Sequence, residues 1–292
     1  MIKVIVVAVC VGLLPTASVA QQPAPCNQID QAQQIQCQMR NAITTRNYSL
    51  MQKIFDSHSP YIDVNDFWSS AESDPAATDV LFKNGLNPNL RVGNPGRHVL
   101  INIIENNLGL NPPEQIAPKT FELYVKHGAS LTLAAIDGQR WDHVYHFLFS
   151  KCVLSPAQYP RINAMLKIAL DLIPDNVRDA LVYPNFYNQN FVHSFAQIAP
   201  VGFDLQNCMN QFDLLSGAMP PTLFPQLGDA DAQDSYGLVP ADYAVFKPAS
   251  SGETICSWSP QRPLTTYNFL MSRHMSPPRL SKGQSSKCYW HP

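Results

Sequence analysis

The chain has 292 residues with 20 basic and 22 acidic side chains, so its formal net charge is −2 at pH 7. A balance this close to neutral provides no general attraction to nucleic acid or to anionic lipid, and we expect neither as a partner. Only 14% of the residues are charged, while 25 are prolines. Both values predict a surface rich in loops and in uncharged polar groups.

The first twenty residues predict a secretory signal peptide. Lys3 supplies a positive n-region, residues 4–14 form a short apolar run, and small residues follow up to Ala20. The run is too short to span a membrane, which takes about 20 apolar residues, and we expect no membrane span elsewhere. We therefore expect residues 1–20 to be cleaved and residues 21–292 to form one domain, periplasmic or secreted.

Short helical segments alternate with turns along most of the chain. Apolar residues at helical spacing predict helices over residues 42–55, 78–83, 99–106, 120–127, 141–149, 162–172, 191–198, 234–244 and 265–274. Extended arms are predicted at residues 61–65 and 200–205, and proline-rich insertions near 109–118 and 213–233.

Two stretches repeat one pattern. Residues 81–90 and 124–133 each run from an apolar helix end through a basic residue and Asn or His to Gly85 or Gly128, and then into an extended arm. Glycine adopts the left-handed conformation without steric cost, so both glycines predict helix ends. A repeated unit of this kind favours a stacked array over a compact enzyme.

Further copies identify the type of repeat. Residues 237–244 (Gly-Leu-Val-Pro-Ala-Asp-Tyr-Ala) keep the Gly, Pro and Ala of a Thr-Pro-Leu-His-x-Ala helix start, while residues 96–103 keep a Gly-Arg. These units resemble ankyrin repeats, in which two antiparallel helices are followed by an extended hairpin arm. The resemblance implies an all-α fold, an ankyrin-like helical solenoid of five or six degenerate repeats over residues 37–283, with loop insertions and disulfides.

Six cysteines follow the predicted signal peptide. An even number in an exported chain predicts disulfide bonds, and the lack of a Cys-x-x-Cys motif argues against a structural zinc site. Fifteen pairings are possible. A linear array brings nearby units together, which favours the pairs Cys26–Cys37, Cys152–Cys208 and Cys256–Cys288.

Histidines are the main candidates for chemistry. His143 and His146 share one face of the predicted helix, a spacing at which two side chains can bind zinc. His143, however, occupies the histidine position of the repeat, where the resemblance implies a structural side chain that bonds the backbone of a neighbouring turn. Because Gly-x-Ser-x-Gly and phosphate-binding glycine loops are also missing, we expect no catalytic residues, no metal and no cofactor.

The resemblance implies a module that binds another protein through its arm tips and concave helix face. We expect a monomer until it binds, and the most concrete version is a periplasmic immunity or inhibitor protein that blocks an envelope-acting enzyme or toxin. The alternatives are a secreted effector that binds host proteins and an envelope hydrolase with a histidine site. The candidate partner-binding residues lie on the arms and at one predicted helix start: Leu90, Arg91, Val92, Asn94, Ala134, Ile136, Asp137, Arg140, Trp141, Asp231 and Tyr236.

Overall fold

The computed structural model describes residues 26, 30–58, 61–108, 116–136, 139–150, 158–175, 189–198, 203–217, 233–235, 237–245, 268–269 and 272. This part of the chain is mostly helical, with a few short strands. The predicted signal peptide and most of the two predicted insertions lie outside it. None of the helices in these ranges is long and apolar enough to cross a membrane.

The helices are short and follow one another closely. In chain order they are α1 (Gln31–Thr44), α2 (Tyr48–His58), α3 (Trp68–Ala71, preceded by a 3-10 turn at Val64–Phe67), α4 (Pro75–Lys83), α5 (Val99–Asn107), α6 (Ile116–Lys126), α7 (Val144–Ser150), α8 (Tyr159–Leu172), α9 (Phe191–Ile198), α10 (Phe203–Gly217) and α11 (Pro240–Val245).

Successive helices alternate between two rows. In one row α2 packs against α4, α4 against α6, and α6 against α8. In the other row α5 packs against α7, α7 against α9, and α9 against α11. Helices α3 and α4 also pack together, as do α5 and α6. Apolar side chains are therefore buried along each row and between the paired helices α3–α4 and α5–α6, and the buried residues form one continuous core from Ile35 to Phe269.

Four short strands add a small sheet to this helical fold. They are β1 (Arg91–Val92), β2 (Arg97–His98), β3 (Ala134–Ile136) and β4 (Gln139–His143), and all neighbours are antiparallel in the order β1-β2-β3-β4. Each extended arm is thus a hairpin, and the hairpins of consecutive units pair through β2 and β3. The pairing satisfies backbone N–H and C=O groups that a single isolated arm would leave open.

The predicted helix ends at Gly85 and Gly128 are confirmed. Gly85 has φ +97° and Gly128 has φ +92°. After α4, the Leu86 N–H donates to the carbonyl of Leu81 (3.0 Å) and the Gly85 N–H to that of Phe82 (3.1 Å). The same two bonds recur around Gly128 at 2.9 and 3.1 Å. This paired arrangement is the Schellman motif, which satisfies the last carbonyls of a helix.

A third helix ends in the same way without glycine. After α1, Arg46 adopts φ +55°, and the Asn47 N–H donates to the carbonyl of Ala42 at 2.8 Å. A left-handed conformation strains a side-chain-bearing residue by about 1–2 kcal/mol. The end of α1 therefore carries backbone strain that Gly85 and Gly128 avoid at the ends of α4 and α6.

Opposite substitutions at two of these helix ends should have opposite effects on stability. We expect Gly128→Ala to lower the free energy of unfolding by about 1 kcal/mol, because φ is unfavourable although an added Cβ would meet no atom within 4 Å. Arg46→Gly should raise it by about 0.5 kcal/mol, since the Arg46–Asp74 ion pair (3.7 Å) is too exposed to matter. Urea unfolding followed by circular dichroism measures both, and the same sign for the two variants would contradict the explanation.

The helix predicted over residues 42–55 is interrupted at residues 45–47, between α1 and α2, and the helix predicted over residues 234–244 begins only at Pro240. Three further predictions of local structure are wrong. Residues 61–65 do not form an extended arm, because the Asp63 side chain accepts the Asn65 N–H (2.9 Å) and starts the 3-10 turn. The predicted arm at 200–205 overlaps α10, which begins at Phe203 and runs to Gly217, into the predicted insertion. Its Cys208, Phe212 and Leu215 are all buried at helical spacing.

The third error concerns the predicted helix at residues 141–149. Helix α7 begins only at Val144, and Trp141 lies on β4, because Ala134 pairs with His143 and extends the strand to that point. Arg140 and Trp141 are therefore part of the second arm and do not mark a helix start.

Candidate partner-binding surface

The first arm is a hairpin with an exposed tip. Arg91 pairs with His98 and Val92 with Arg97, and residues 93–95 between the two strands are exposed. Gly93 takes φ +72° within this turn. Leu90, also predicted to bind a partner, instead packs against the core, and its carbonyl accepts the Val99 N–H at 2.9 Å. The accessible part of this arm is the tip, with Asn94 exposed and Arg91 and Val92 half-buried beside it.

The second arm is longer and irregular. Ile136 pairs with Gln139, but Ala134 pairs with His143. The two pairs are therefore two residues apart on β3 and four residues apart on β4. The extra backbone forms a bulge that contains Arg140 and Trp141. Bulges turn side chains away from the regular alternation of a strand and are frequent at functional sites. The structure brings these two predicted residues into the same sheet as the first arm.

Other predicted site residues lie outside the described part of the chain. They are Asp137, Asp231 and Tyr236 among the partner-binding set, and Cys152, Cys256 and Cys288 among the cysteines. The predicted Cys26–Cys37 disulfide is confirmed, with the two Cα atoms 5.6 Å apart. Cys208 is fully buried and also disulfide-bonded.

Two charge interactions shape the first arm. The Arg97 Nη1 lies 2.9 Å from the Glu105 Oε2, so α5 balances the charge of Arg97. Arg91 pairs across the ladder with His98, whose ring is fully buried. Burial, with a further contribution from the positive charge of Arg91, lowers the pKa of His98 to about 4. His98 is therefore neutral at pH 7.

A series of polar turns underlies the arms, and the sequence interpretation missed it. In each turn a side-chain oxygen accepts the backbone N–H two residues ahead. Asp63 accepts from Asn65 (2.9 Å), Asn87 from Asn89 (2.9 Å) and Ser130 from Thr132 (3.3 Å). The signal was present as three polar-apolar-polar triplets. Two of them begin two residues after Gly85 and Gly128.

Side-chain hydrogen bonds connect each of these turns to the next. Asn65 Oδ1 accepts the backbone N–H of Asn87 at 3.0 Å. Asn89 Oδ1 accepts that of Ser130 at 2.8 Å, while Asn89 Nδ2 donates to the carbonyl of Gly128 at 3.2 Å. Asn65 and Asn89 therefore join the first turn to the second and the second to the third. Because these partners lie 22 and 41 residues apart in the chain, the bonds fix how each turn sits beside the next.

His98 connects this series to the start of α5. Its Nδ1 accepts the Leu100 N–H (3.2 Å) and thereby caps the helix. Its Nε2 lies 3.1 Å from Asn89 Oδ1. Since a nitrogen that accepts an N–H carries no proton, the ring proton is on Nε2 and donates to Asn89.

Two further histidines bond backbone groups. His143 Nδ1 donates to the carbonyl of Thr132, the kind of contact that the sequence suggested for a structural side chain. The His193 ring is fully buried: Nδ1 lies 2.9 Å from Asn190 Oδ1 and Nε2 lies 3.3 Å from the carbonyl of Leu238. Asn190 also caps α9 by accepting the Val192 N–H at 3.0 Å. This link between α9 and the turn before α11 was not predicted.

The described residues contain no metal-binding cluster, and the chain matches no known family. Within the residues that the structure describes, no group of three or more His, Cys, Asp or Glu side chains is placed to hold a metal ion. No protein-family model matches the chain, and no curated protein or solved structure matches it at a significant level.

Proposed function

We propose that this chain is an exported protein-binding module built from ankyrin-like units, and more specifically a periplasmic immunity or inhibitor protein that blocks an envelope-acting enzyme or toxin. One observation carries the proposal. The arms of consecutive helix pairs join into a single sheet whose first tip, residues 93–95, is exposed. Such a sheet presents a continuous row of side chains to a partner.

The ankyrin-like part of the proposal rests on repetition in three dimensions. A helix end with a left-handed glycine, a polar turn, a hairpin and a new helix follow one another twice, after α4 and after α6. The helices on either side alternate between two rows. An array of this kind gains its stability from neighbouring units and leaves its arms free to vary.

Export is supported by the cysteines. The Cys26–Cys37 disulfide ties the chain before α1 to the first helix, and Cys208 on α10 is disulfide-bonded as well. Disulfides persist in oxidising compartments such as the periplasm or the extracellular space and are rare in the cytosol.

Three of the described histidines support binding over hydrolysis. His98, His143 and His193 are each engaged with a backbone group, and His98 and His193 also with an asparagine side chain. A general base must instead reach a proton on a substrate. These contacts support a structural role for the three rings.

The test is affinity capture from an envelope fraction with two matched double variants. Arg91→Ala with Asn94→Ala alters the first arm, whereas Lys53→Ala with Lys119→Ala removes exposed charges from α2 and α6. We expect the wild type and the lysine variant to retain one stoichiometric partner protein and the arm variant to bind it at least about tenfold more weakly, because truncating a central interface side chain costs more than 1 kcal/mol. Equal binding by both variants, or no partner at micromolar concentration, would refute the proposal.

A further inference from the structure

The ring of His98 is placed so that only its neutral form fits. Nδ1 accepts the Leu100 N–H at 3.2 Å and Nε2 donates to Asn89 Oδ1 at 3.1 Å. A second proton must bind at Nδ1, where it would point at the Leu100 N–H. Two donors would then face each other inside a site with no solvent access, and α5 would lose its cap.

The charges around His98 also oppose protonation. β1 places Arg91 opposite His98, and Arg97 precedes it on β2. β3, which pairs with β2, consists of Ala-Ala-Ile and brings no charge. The charged residue of α5 is Glu105, and its carboxylate binds Arg97 at 2.9 Å. The charge that acts on the ring is therefore the positive charge of Arg91. Burial and Arg91 together lower the pKa of His98 to about 4.

The contact between the two arms depends on the same ring. Asn89 Oδ1 accepts from His98 and from the Ser130 N–H (2.8 Å), so it connects the start of α5 to the turn that precedes the second arm. Within the described residues, β2 pairs with β3 through Arg97 and Ile136, directly beside His98. A ring displaced by protonation would disturb both the hydrogen bonds of Asn89 and the pairing of β2 with β3.

We propose that His98 is an acid-operated latch, which holds the first arm against the second while its ring is neutral and releases them when Nδ1 is protonated. This is a conformational property of the chain and stands whether or not the arms bind a partner.

The direction of the pH effect follows from the two protonation states. The unfolded chain protonates His98 near pH 6.5, whereas the folded chain resists protonation until about pH 4. The stabilising contribution of the neutral ring is therefore complete above pH 6.5 and is lost as the pH falls from 6.5 towards 4. The ratio of folded to unfolded protein decreases by up to about 300-fold over this window from His98 alone.

The first experiment compares wild type with His98→Asn between pH 7 and pH 4. Asparagine keeps an oxygen that caps α5 but does not titrate. We expect the urea midpoint of the wild type to fall further across this range than that of His98→Asn. Hydrogen exchange of residues 86–100 and 128–136, corrected for intrinsic pH dependence, should accelerate in the wild type relative to α9 and not in the variant. His127→Asn is the matched control: its exposed ring stacks on Phe82 at 4.1 Å, so the variant should lose a constant amount of stability but keep the pH dependence of the wild type.

The second experiment needs no variant and covers the case in which His98→Asn does not fold. Nitrogen chemical shifts of the wild-type histidines report both the tautomer and the titration midpoint. A proton on Nε2 and a midpoint well below 6.5 for His98 support the latch. A midpoint at or above 6.5, or identical pH profiles for wild type and His98→Asn, would overturn it.

Discussion

Phe212→Ala should lower the free energy of unfolding by about 3–5 kcal/mol, the usual cost of truncating a fully buried phenylalanine. Phe212 on α10 has no exposed surface, and its ring lies 5.0 Å from that of Phe195 on α9 and 5.2 Å from that of Phe269. The Phe195 and Phe269 rings are 5.4 Å apart, so the three rings close into one cluster. Removing one ring leaves a cavity between three segments that few side chains can refill.

Leu214→Ala on the same helix is the matched control. Leu214 is 37% exposed, and its loss should cost about 0.5 kcal/mol or less. Urea unfolding monitored by circular dichroism measures both variants. Limited proteolysis should also cleave next to Phe269 faster in Phe212→Ala, because Phe269 loses its ring contact with Phe212. Equal destabilisation by the two substitutions would show that the aromatic cluster does not join these segments.

Asn89→Ala should lower the free energy of unfolding by about 2–3 kcal/mol, more than any other surface asparagine of the first arm. Its Oδ1 accepts hydrogen bonds from the Ser130 N–H and from the His98 ring, and its Nδ2 donates to the carbonyl of Gly128. Alanine leaves the buried Nε2–H of His98 without its acceptor, and an unpaired buried donor costs about 1–3 kcal/mol. The joint between consecutive units is lost at the same time.

Two neighbouring asparagines serve as controls for the loss of stability in Asn89→Ala. Asn87→Ala removes only the hydrogen bond within the turn, and Asn94→Ala removes an exposed side chain at the tip, so both should cost about 1 kcal/mol or less. Chemical unfolding of the three variants under identical conditions provides the comparison. If Asn89→Ala is as mild as Asn94→Ala, the polar turns do not couple the units.

Elements that depend on neighbouring residues were predicted well. The ends of α4 and α6 follow from Gly85 and Gly128, because a left-handed residue after the last turn is a local requirement that glycine meets at little cost. Helix α9 occupies the predicted range, Phe191–Ile198, since its apolar residues recur at helical spacing. The Cys26–Cys37 disulfide joins residues separated by 11 positions, which is close enough for sequence order to indicate it.

Elements that need a distant partner were predicted poorly. Trp141 was placed on a helix because its apolar neighbours fit helical spacing, but pairing between β3 and β4 made it part of a strand. Residues 64 and 65 of the other predicted arm instead belong to the 3-10 turn Val64–Phe67. Strand formation in a short segment depends on what lies beside it more than on its own composition.

The amino-acid sequence by itself indicated the range of α9, the ends of α4 and α6, and a glycine-ended helix followed by an arm at two places. The tertiary structure alone decided that the arms pair into one sheet, that Leu90 belongs to the core, and that His98 and Asn89 lock one unit to the next. The physical reason is separation along the chain. Helix propensity and capping act over four or five residues, whereas Asn89 and Ser130 are 41 residues apart and meet only after α5 and α6 have packed.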